Sequence, residues 1–322
     1  MAHIVVTEFM DEAGLALLRA RFEVLYDPTL VDHHAVLLAA LPDTRALIVR
    51  NRTKVGAALL AAAPRLEVIG RLGVGLDNLD LKACAARRVP VLPAAGANEI
   101  AVAEFVIGAA IVLLRAGAFH VTPAVLAGKW PREQVIGREA FGLRMGLLGF
   151  GAIARQVARR ACAFGMQLAA HDPFVPADHP SWREYGVEPQ TLDALLASSD
   201  VLSIHTPLTP DTRHLLGAEA LARLPKGAVL INTARGGIVD ERALAAALQR
   251  GHLGGAVLDV VEEEPLKDAR HLSGVPNLIL VPHVAGVTAQ SNLRISTLTA
   301  DNVLCVLAGR TPSVADAAAA WR

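Results

Sequence analysis

The chain has 322 residues, 31 Lys and Arg balance 31 Asp and Glu, and the composition is 53% hydrophobic against 19% charged. Zero formal charge argues against a general nucleic-acid binder, which needs a basic excess to grip phosphates, and against a polybasic membrane-surface protein. The length suits two domains of roughly 150 residues, and the apolar content is ample for large cores.

Short β-branched runs alternate with Ala/Leu-rich helical stretches from the start. Residues 4–8 (IVVTE), 46–50 (ALIVR) and 66–73 (LEVIGRLG) read as buried strands, with helical patterns at 12–20 and 55–63, the latter stopped by Pro64. A long helical pattern begins at Asn98, a good N-cap, and runs to about Gly117. Its apolar stretch, 100–114, contains Glu104 and is too short to span a bilayer. A second strand series follows at 144–150, 167–172, 200–206, 228–234, 255–260 and 278–283. Near-continuous apolar runs of this kind belong to parallel strands covered on both faces. A last long helix follows Thr288 and ends near Gly309 and Pro312. If the second series forms one domain, residues 99–287 are inserted into a discontinuous partner made of 1–98 and 288–322. The long helices are then the crossovers, and a ligand cleft between lobes is expected. Cys84, Cys162 and Cys305 lie too far apart for a zinc or redox motif, and no metal site is expected. Their odd number, with no signal peptide at the N-terminus, points to reduced thiols in the cytoplasm.

After the strand RMGLL come Gly149, Phe150, Gly151, Ala152, Ile153 and Ala154, and then a helical run. This is GxGxxA between strand and helix. The first Gly permits a tight turn, the second lets a pyrophosphate approach the backbone, and the small third residue lets helix and strand pack. The helix N-terminus adds free N–H groups and the positive end of the dipole. Asp172 lies 21 residues beyond Gly151 at the end of the next strand. A carboxylate there accepts both ribose hydroxyls of NAD and repels the extra phosphate of NADP. A Gly-rich turn alone is weak evidence; strand, loop, helix, strand and Asp at these spacings favour NAD. No Arg directly follows Asp172, which again favours NAD over NADP.

Arg235 follows AVLINTA, Glu264 lies four residues after VLDV, and His283 ends LILVPH. In a doubly wound parallel sheet all strand carboxyl ends share one edge, so the three converge beside the glycine loop. Hydride transfer to a carbonyl needs a proton donor, and His titrates near neutrality; an adjacent carboxylate favours its protonated form. A guanidinium is a planar fork for a substrate carboxylate. Taken singly, Arg235 suits a sheet-edge cap and His283 a satisfied core histidine. Glu262, Glu263 and Glu264 suit one solvated acidic turn, the favoured reading for the first two. Three in phase on one rim favour a 2-hydroxy-acid/2-oxo-acid dehydrogenase. His205 lies on the same edge and lines the cofactor site, whereas His33, His34, His120, His179, His252 and His271 read as surface or loop residues.

Nearly the whole chain resembles the D-isomer-specific 2-hydroxyacid dehydrogenase family. The likeness rests on RLGVGLDNLD (71–80), GANEIAVAEFVIG (96–108), LLGFGAIA (147–154), HTPLTPDTRHLL (205–216), INTARGGIVDERAL (231–244), LDVVEEEPL (258–266) and PHVAGVT (282–288). It implies an α/β protein, a Rossmann doubly wound parallel sheet inserted into a smaller flavodoxin-like substrate domain. It also implies an Arg235–Glu264–His283 catalytic set and a homodimer contacting through the long helix and the arm after it. It gives the cofactor Gly149, Gly151, Ala152, Ile153, Asp172, His205, Thr206, Pro207, Thr212, Thr233, Ala234, Asp259 and Gly286. Substrate would be held by Gly73, Val74 and Gly75 with Arg235 and His283. Ala152 stands where relatives often carry Arg, and Val261 replaces a frequent aromatic.

Arg50 and Arg52 end a strand in VRNRT; an inward Arg50 suits a second anionic group such as phosphate or sulfonate, and both facing solvent is the plainer alternative. That segment resembles phosphoglycerate dehydrogenases, and together with TEFMDE, YDPTLV and GRLGVGLDN it is similar to bacterial sulfolactate dehydrogenases. The sequence stops at Arg322, so serine feedback through a C-terminal regulatory domain is not expected. A competing class is an NAD(H)-sensing corepressor-like binding protein of the same fold.

Overall fold

The computed structural model describes residues 3–319. They divide into two units, one running to Asn98 and resuming at Val287, the other spanning Glu99–Gly286.

The first unit alternates β1 (Ile4–Val6), α1 (Glu12–Arg19), β2 (Val24–Tyr26), α2 (His34–Ala40), β3 (Ala46–Val49), α3 (Ala57–Ala62), β4 (Val68–Arg71), α4 (Leu81–Ala86) and β5 (Val91–Pro93). Asp11 and Asp80 start α1 and α4 by accepting the N–H groups of Ala13 and Ala83. The strands pair in parallel in the order β2-β1-β3-β4-β5. Successive side chains point to opposite faces, so Val5, Leu47, Val49, Ile69 and Val91 pack with Leu37, Leu59 and Leu60. Ile4, Val6, Ile48, Val68 and Leu92 pack on the other face with Leu15 and Leu18. β2 and β5 are additions to the sequence expectation: β2 is bounded by Glu23 and Asp27, and β5 follows Pro90 and ends on Pro93, both turn-like settings.

The second unit carries α5 (Glu99–Leu114), α6 (Thr122–Leu126), β6 (Arg144–Leu148), α7 (Ala152–Ala163), β7 (Gln167–His171), α8 (Ser181–Tyr185), β8 (Glu188–Pro189), α9 (Leu192–Ser198), β9 (Val201–Ile204), α10 (Ala218–Arg223), β10 (Val229–Asn232), α11 (Glu241–Gln249), β11 (Gly255–Leu258) and β12 (Leu278–Leu280). Among the described residues its sheet has seven parallel strands, ordered β12-β11-β10-β9-β6-β7-β8. Val102 and Val106 of α5 and Val157 of α7 cover one face. Leu195, Leu221 and Leu244 of α9, α10 and α11 cover the other. The order reverses between β6 and β9, which opens the crevice where doubly wound sheets bind ligands.

The chain closes on α12 (Ala289–Leu307), capped by Thr288, whose Oγ1 accepts the Ser291 N–H at 3.0 Å. It lies so close to β4 that a Cβ on Gly70 would sit 2.8 Å from methyls of Thr299 and Val303.

The α/β class with two parallel sheets agrees with the sequence expectation. Several local expectations are corrected. Each strand read from the sequence is shorter than its run, which continues into the loop that leaves the sheet. Asn98 precedes α5 but caps nothing: its Oδ1 is buried with no hydrogen-bond partner. α5 ends at Leu114, and Gly117, at φ +80°, starts a separate 3₁₀ turn instead of ending the helix. No helix among the described residues is long and apolar enough to cross a membrane.

Candidate active site

The crevice of the second unit is built on glycine. Gly149 has φ +94°, and a Cβ there would lie 2.7 Å from the His205 carbonyl oxygen, so only glycine lets the β6 and β9 loops meet. Gly151 precedes α7 in an extended conformation, with nothing within 4 Å of where its Cβ would be. Ala152 and Ile153 form the first turn, leaving free N–H groups on the rim. Asp172 follows β7; its Oδ2 accepts the Phe150 N–H and its Oδ1 the Phe174 N–H, both at 2.9 Å. A carboxylate has about four lone-pair sites, so roughly two remain for a ligand.

His205 stands at the end of β9 with Nε2 2.8 Å from Ser203 Oγ. Burial without a carboxylate partner pushes its pKa down to about 4. Its ring is therefore neutral at physiological pH and serves as a wall. Beside it Thr206 and Pro207 lead into a tight turn where Thr212 Oγ1 donates to the Pro207 carbonyl at 2.7 Å and accepts the Thr209 N–H. Thr212's hydroxyl is thus committed within its own loop.

After β10, Asn232 shapes the next loop from inside: its Nδ2 donates to the Arg235 carbonyl at 2.8 Å and its Oδ1 accepts the Ala234 N–H. Arg235 Nη1 donates to the Ala234 carbonyl. Thr233 Oγ1 is buried with no hydrogen-bond partner. Gly236 meets the β11 loop directly, since a Cβ there would lie 1.8 Å from the Val261 carbonyl oxygen. That loop carries Glu264, whose Oε2 lies 2.8 Å from His283 Nδ1. His283 follows β12 in the left-handed region, φ +55°. Asp259 holds it there: the His283 N–H donates to the Asp259 carbonyl at 2.8 Å, and the Asp259 carboxylate accepts the N–H groups of Val284 and Ala285. Burial pushes the Asp259 carboxyl up, opposed by those two amides. Both oxygens of Asp259, given to the cofactor by resemblance, are engaged by backbone; Gly286 ends the same segment. Arg235, Glu264 and His283 thus leave three adjacent parallel strands at one edge, which supplies a cation, a carboxylate and an imidazole able to pass a proton.

In the first unit, Glu8 is 5% exposed and collects three backbone N–H groups, from Arg50, Arg52 and Thr53, at 2.9–3.0 Å. This fixes the loop after β3. Arg50 is half-buried, donates to Asn292 Oδ1 at 3.1 Å and lies 5.8 Å from the Phe9 ring centroid. Burial lowers its pKa, partly countered by Glu8. Arg52 points to solvent and pairs with Asp32. Gly73, at φ +141°, starts the turn to Val74 and Gly75, and a Cβ there would collide with the Arg71 guanidinium at 1.8 Å.

The histidines His179, His252 and His271 lie in loops, half-buried, and each has a partner. His179 Nδ1 meets Ser181 Oγ, His252 Nε2 meets the Leu221 carbonyl, and His271 Nε2 lies 2.5 Å from Glu241 Oε2. Glu262 is also more than a solvated acid, since it pairs with His214 at 3.1 Å. Glu8, Arg71, Glu241 and His271 escaped sequence reasoning. An acid two residues past a strand was the available signal for Glu8, and an acid after the Asp cap of a helix that for Glu241.

NAD fits these residues: a glycine cradle opens onto a helix N-terminus, Asp172 keeps free lone pairs, and Thr233 offers an orphaned hydroxyl. Residues 108–285 match the model of the D-isomer specific 2-hydroxyacid dehydrogenase NAD-binding domain. The chain is 55% identical over 303 residues, 94% of it and 97% of the relative, to (S)-sulfolactate dehydrogenase of Chromohalobacter salexigens. It is 36% identical to D-3-phosphoglycerate dehydrogenase of Methanocaldococcus jannaschii, over 96% of this chain but only 58% of that longer one. Its fold is similar to that of an NADPH-dependent glyoxylate/hydroxypyruvate reductase from Sinorhizobium meliloti, solved with NADP and malonate. That match has a TM-score of 0.83 and 30% identity, and covers 98% of this chain and 96% of that one. The chain belongs to the D-isomer specific 2-hydroxyacid dehydrogenase family and is an NAD-binding oxidoreductase.

Proposed function

We propose that this dehydrogenase interconverts a small D-2-hydroxy acid and its 2-oxo acid with NAD, and that the substrate carries a second anionic group, foremost a sulfonate. The bound cofactor supplies or accepts the hydride at C2. His283 donates the proton to the substrate oxygen in reduction and removes it in oxidation, while Glu264, 2.8 Å from Nδ1, orients the ring. Arg235 holds the substrate carboxylate and polarises the carbonyl beside it. The observation that carries this reading is the 2.8 Å His283–Glu264 contact on the same sheet edge as the glycine loop.

The cofactor's phosphates go to Gly149, Gly151, Ala152 and Ile153, and its adenosine ribose to Asp172. His205, Thr206, Pro207, Thr212, Thr233, Ala234 and Gly286 line the rest, with Asp259 acting through the backbone it holds. The first unit is the substrate domain. Backbone N–H groups of Val74 and Gly75 take an anionic group of the substrate, Gly73 shaping their turn with its own N–H committed to the Arg71 carbonyl at 2.8 Å, and Arg50 takes the second anion. The desolvated Arg50 guanidinium supports the last assignment, because an anion that pairs with it recovers hydration lost on burial.

Stereochemistry supports a sulfonate. Sulfur outranks oxygen in the priority rules, so CH2–SO3⁻ ranks above the carboxylate, and a D-configured sulfolactate carries the descriptor S. The relative's printed substrate name is therefore consistent with a D-specific family. Exposed Phe119, Leu126, Trp130 and Ile136 on the arm after α5 support a homodimer, and a cytoplasmic location completes the proposal.

The test is NADH oxidation with glyoxylate, hydroxypyruvate, phosphohydroxypyruvate and sulfopyruvate. Sulfopyruvate is expected to exceed glyoxylate in kcat/KM by about tenfold or more, the worth of a charged hydrogen bond. Glyoxylate as the best substrate would discard the second anion, and no turnover with any of the four would discard the reading.

A further inference from the structure

A second pair of acids and imidazoles lies behind the reacting edge. Glu241, the first residue of α11, is 4% exposed. Its Oε1 accepts the Glu262 N–H at 2.6 Å, and its Oε2 lies 2.5 Å from His271 Nε2. In return Glu262 Oε1 lies 3.5 Å from the Glu241 N–H and 3.1 Å from His214 Nε2. Each glutamate thus reaches the other's backbone, which pins the root of the β11 loop to the start of α11. Two residues on, the loop presents Glu264, which reaches back to the Val261 N–H with Oε1 and to His283 with Oε2. Gly236, next to Arg235, abuts the same Val261–Glu262 peptide.

We propose that Glu241, braced by His271, is a positioning residue for catalysis, setting the height of the β11 loop so that Glu264 meets His283. This rests on the assignment of His283 and Glu264 as the proton-transfer pair. A carboxylate buried this deeply demands charged or N–H partners on both oxygens. It finds one on the loop's backbone and one on an imidazole 30 residues away in sequence. A local cap would require neither. A 1 Å shift of a reacting group can cost about a hundredfold in rate, so a loop held at one point is sensitive to the holder.

The full-length chain is assayed with NADH and whichever of the four oxo acids it turns over fastest. Glu241→Ala is expected to lower kcat about tenfold with the KM for NADH within about twofold of wild type. Glu241→Gln keeps an oxygen for the Glu262 N–H and should recover most of the loss. The decisive readout is Glu241→Ala added to Glu264→Gln: a residue acting through Glu264 costs little further once Glu264 is removed. Additive losses, or unchanged kcat in folded Glu241→Ala, would overturn the proposal. If Glu241→Ala does not fold, His271→Asn takes its place. It should lower kcat severalfold alone and add nothing to Glu264→Gln; unchanged kcat or an additive loss overturns the proposal. Should Glu264→Gln itself leave kcat unchanged, the catalytic pair is wrong and Glu241's role falls with it. If only the Glu264 variant slows, the pair stands and Glu241's role alone fails.

Discussion

Two imidazoles leave the same edge of one sheet and come to opposite ends. His205, after β9, is half-buried, has only a hydroxyl for a partner, and is held neutral with its pKa near 4. His283, three residues beyond β12, keeps 38% of its side chain exposed and faces a carboxylate at 2.8 Å. Backbone topology treats the two alike; what separates them is the neighbour each loop supplies. A parallel sheet delivers side chains to a rim, and local electrostatics decides which of them can move a proton.

The contrast can be strained from either side. Removing the charge that distinguishes His283, by Glu264→Gln, should lower kcat between about tenfold and a hundredfold while NADH affinity holds, because the loss falls on proton transfer. An unchanged kcat would make the contact structural. Further along the rim, Asp172→Ala should erode the preference for NAD over NADP by about tenfold, the worth of one charge-assisted hydrogen bond; unchanged selectivity would remove Asp172 from the ribose. The smallest catalytic effect belongs to His205→Gln, with kcat within about twofold, and its signature lies in stability. A histidine whose folded pKa is depressed costs nothing above its unfolded value of about 6.5 and destabilises the fold as pH falls toward 4. Full burial would make that on the order of 3 kcal/mol, and about 2 is expected because the ring keeps some solvent contact. Denaturant melts between pH 7 and 4.5 should be flatter for His205→Gln than for wild type. Parallel curves would show that His205 titrates normally.

Local patterns were readable and remote pairings were not. The glycine loop and Asp172 could be placed because each residue answers to its own strand or helix end. Arg235 and His283 followed from the single premise of parallel strands. Glu264 was singled out among three consecutive glutamates, whereas only the fold shows that Glu262 turns to His214 and Glu263 to nearby Lys267 while Glu264 meets His283. His271 looked ordinary because its partner lies 30 residues earlier on another element. Asn98 failed in the opposite sense: it is a favourable cap residue in the right place, yet its Oδ1 accepts no N–H group.

The most direct measurement compares His283→Ala with His205→Ala for NADH binding and turnover on the preferred oxo acid. The account predicts that His283→Ala binds NADH as wild type does and loses about a hundredfold or more in kcat, whereas His205→Ala keeps nearly all of it. Turnover within a few fold of wild type in folded His283→Ala, or a larger loss at His205, would contradict the assignment.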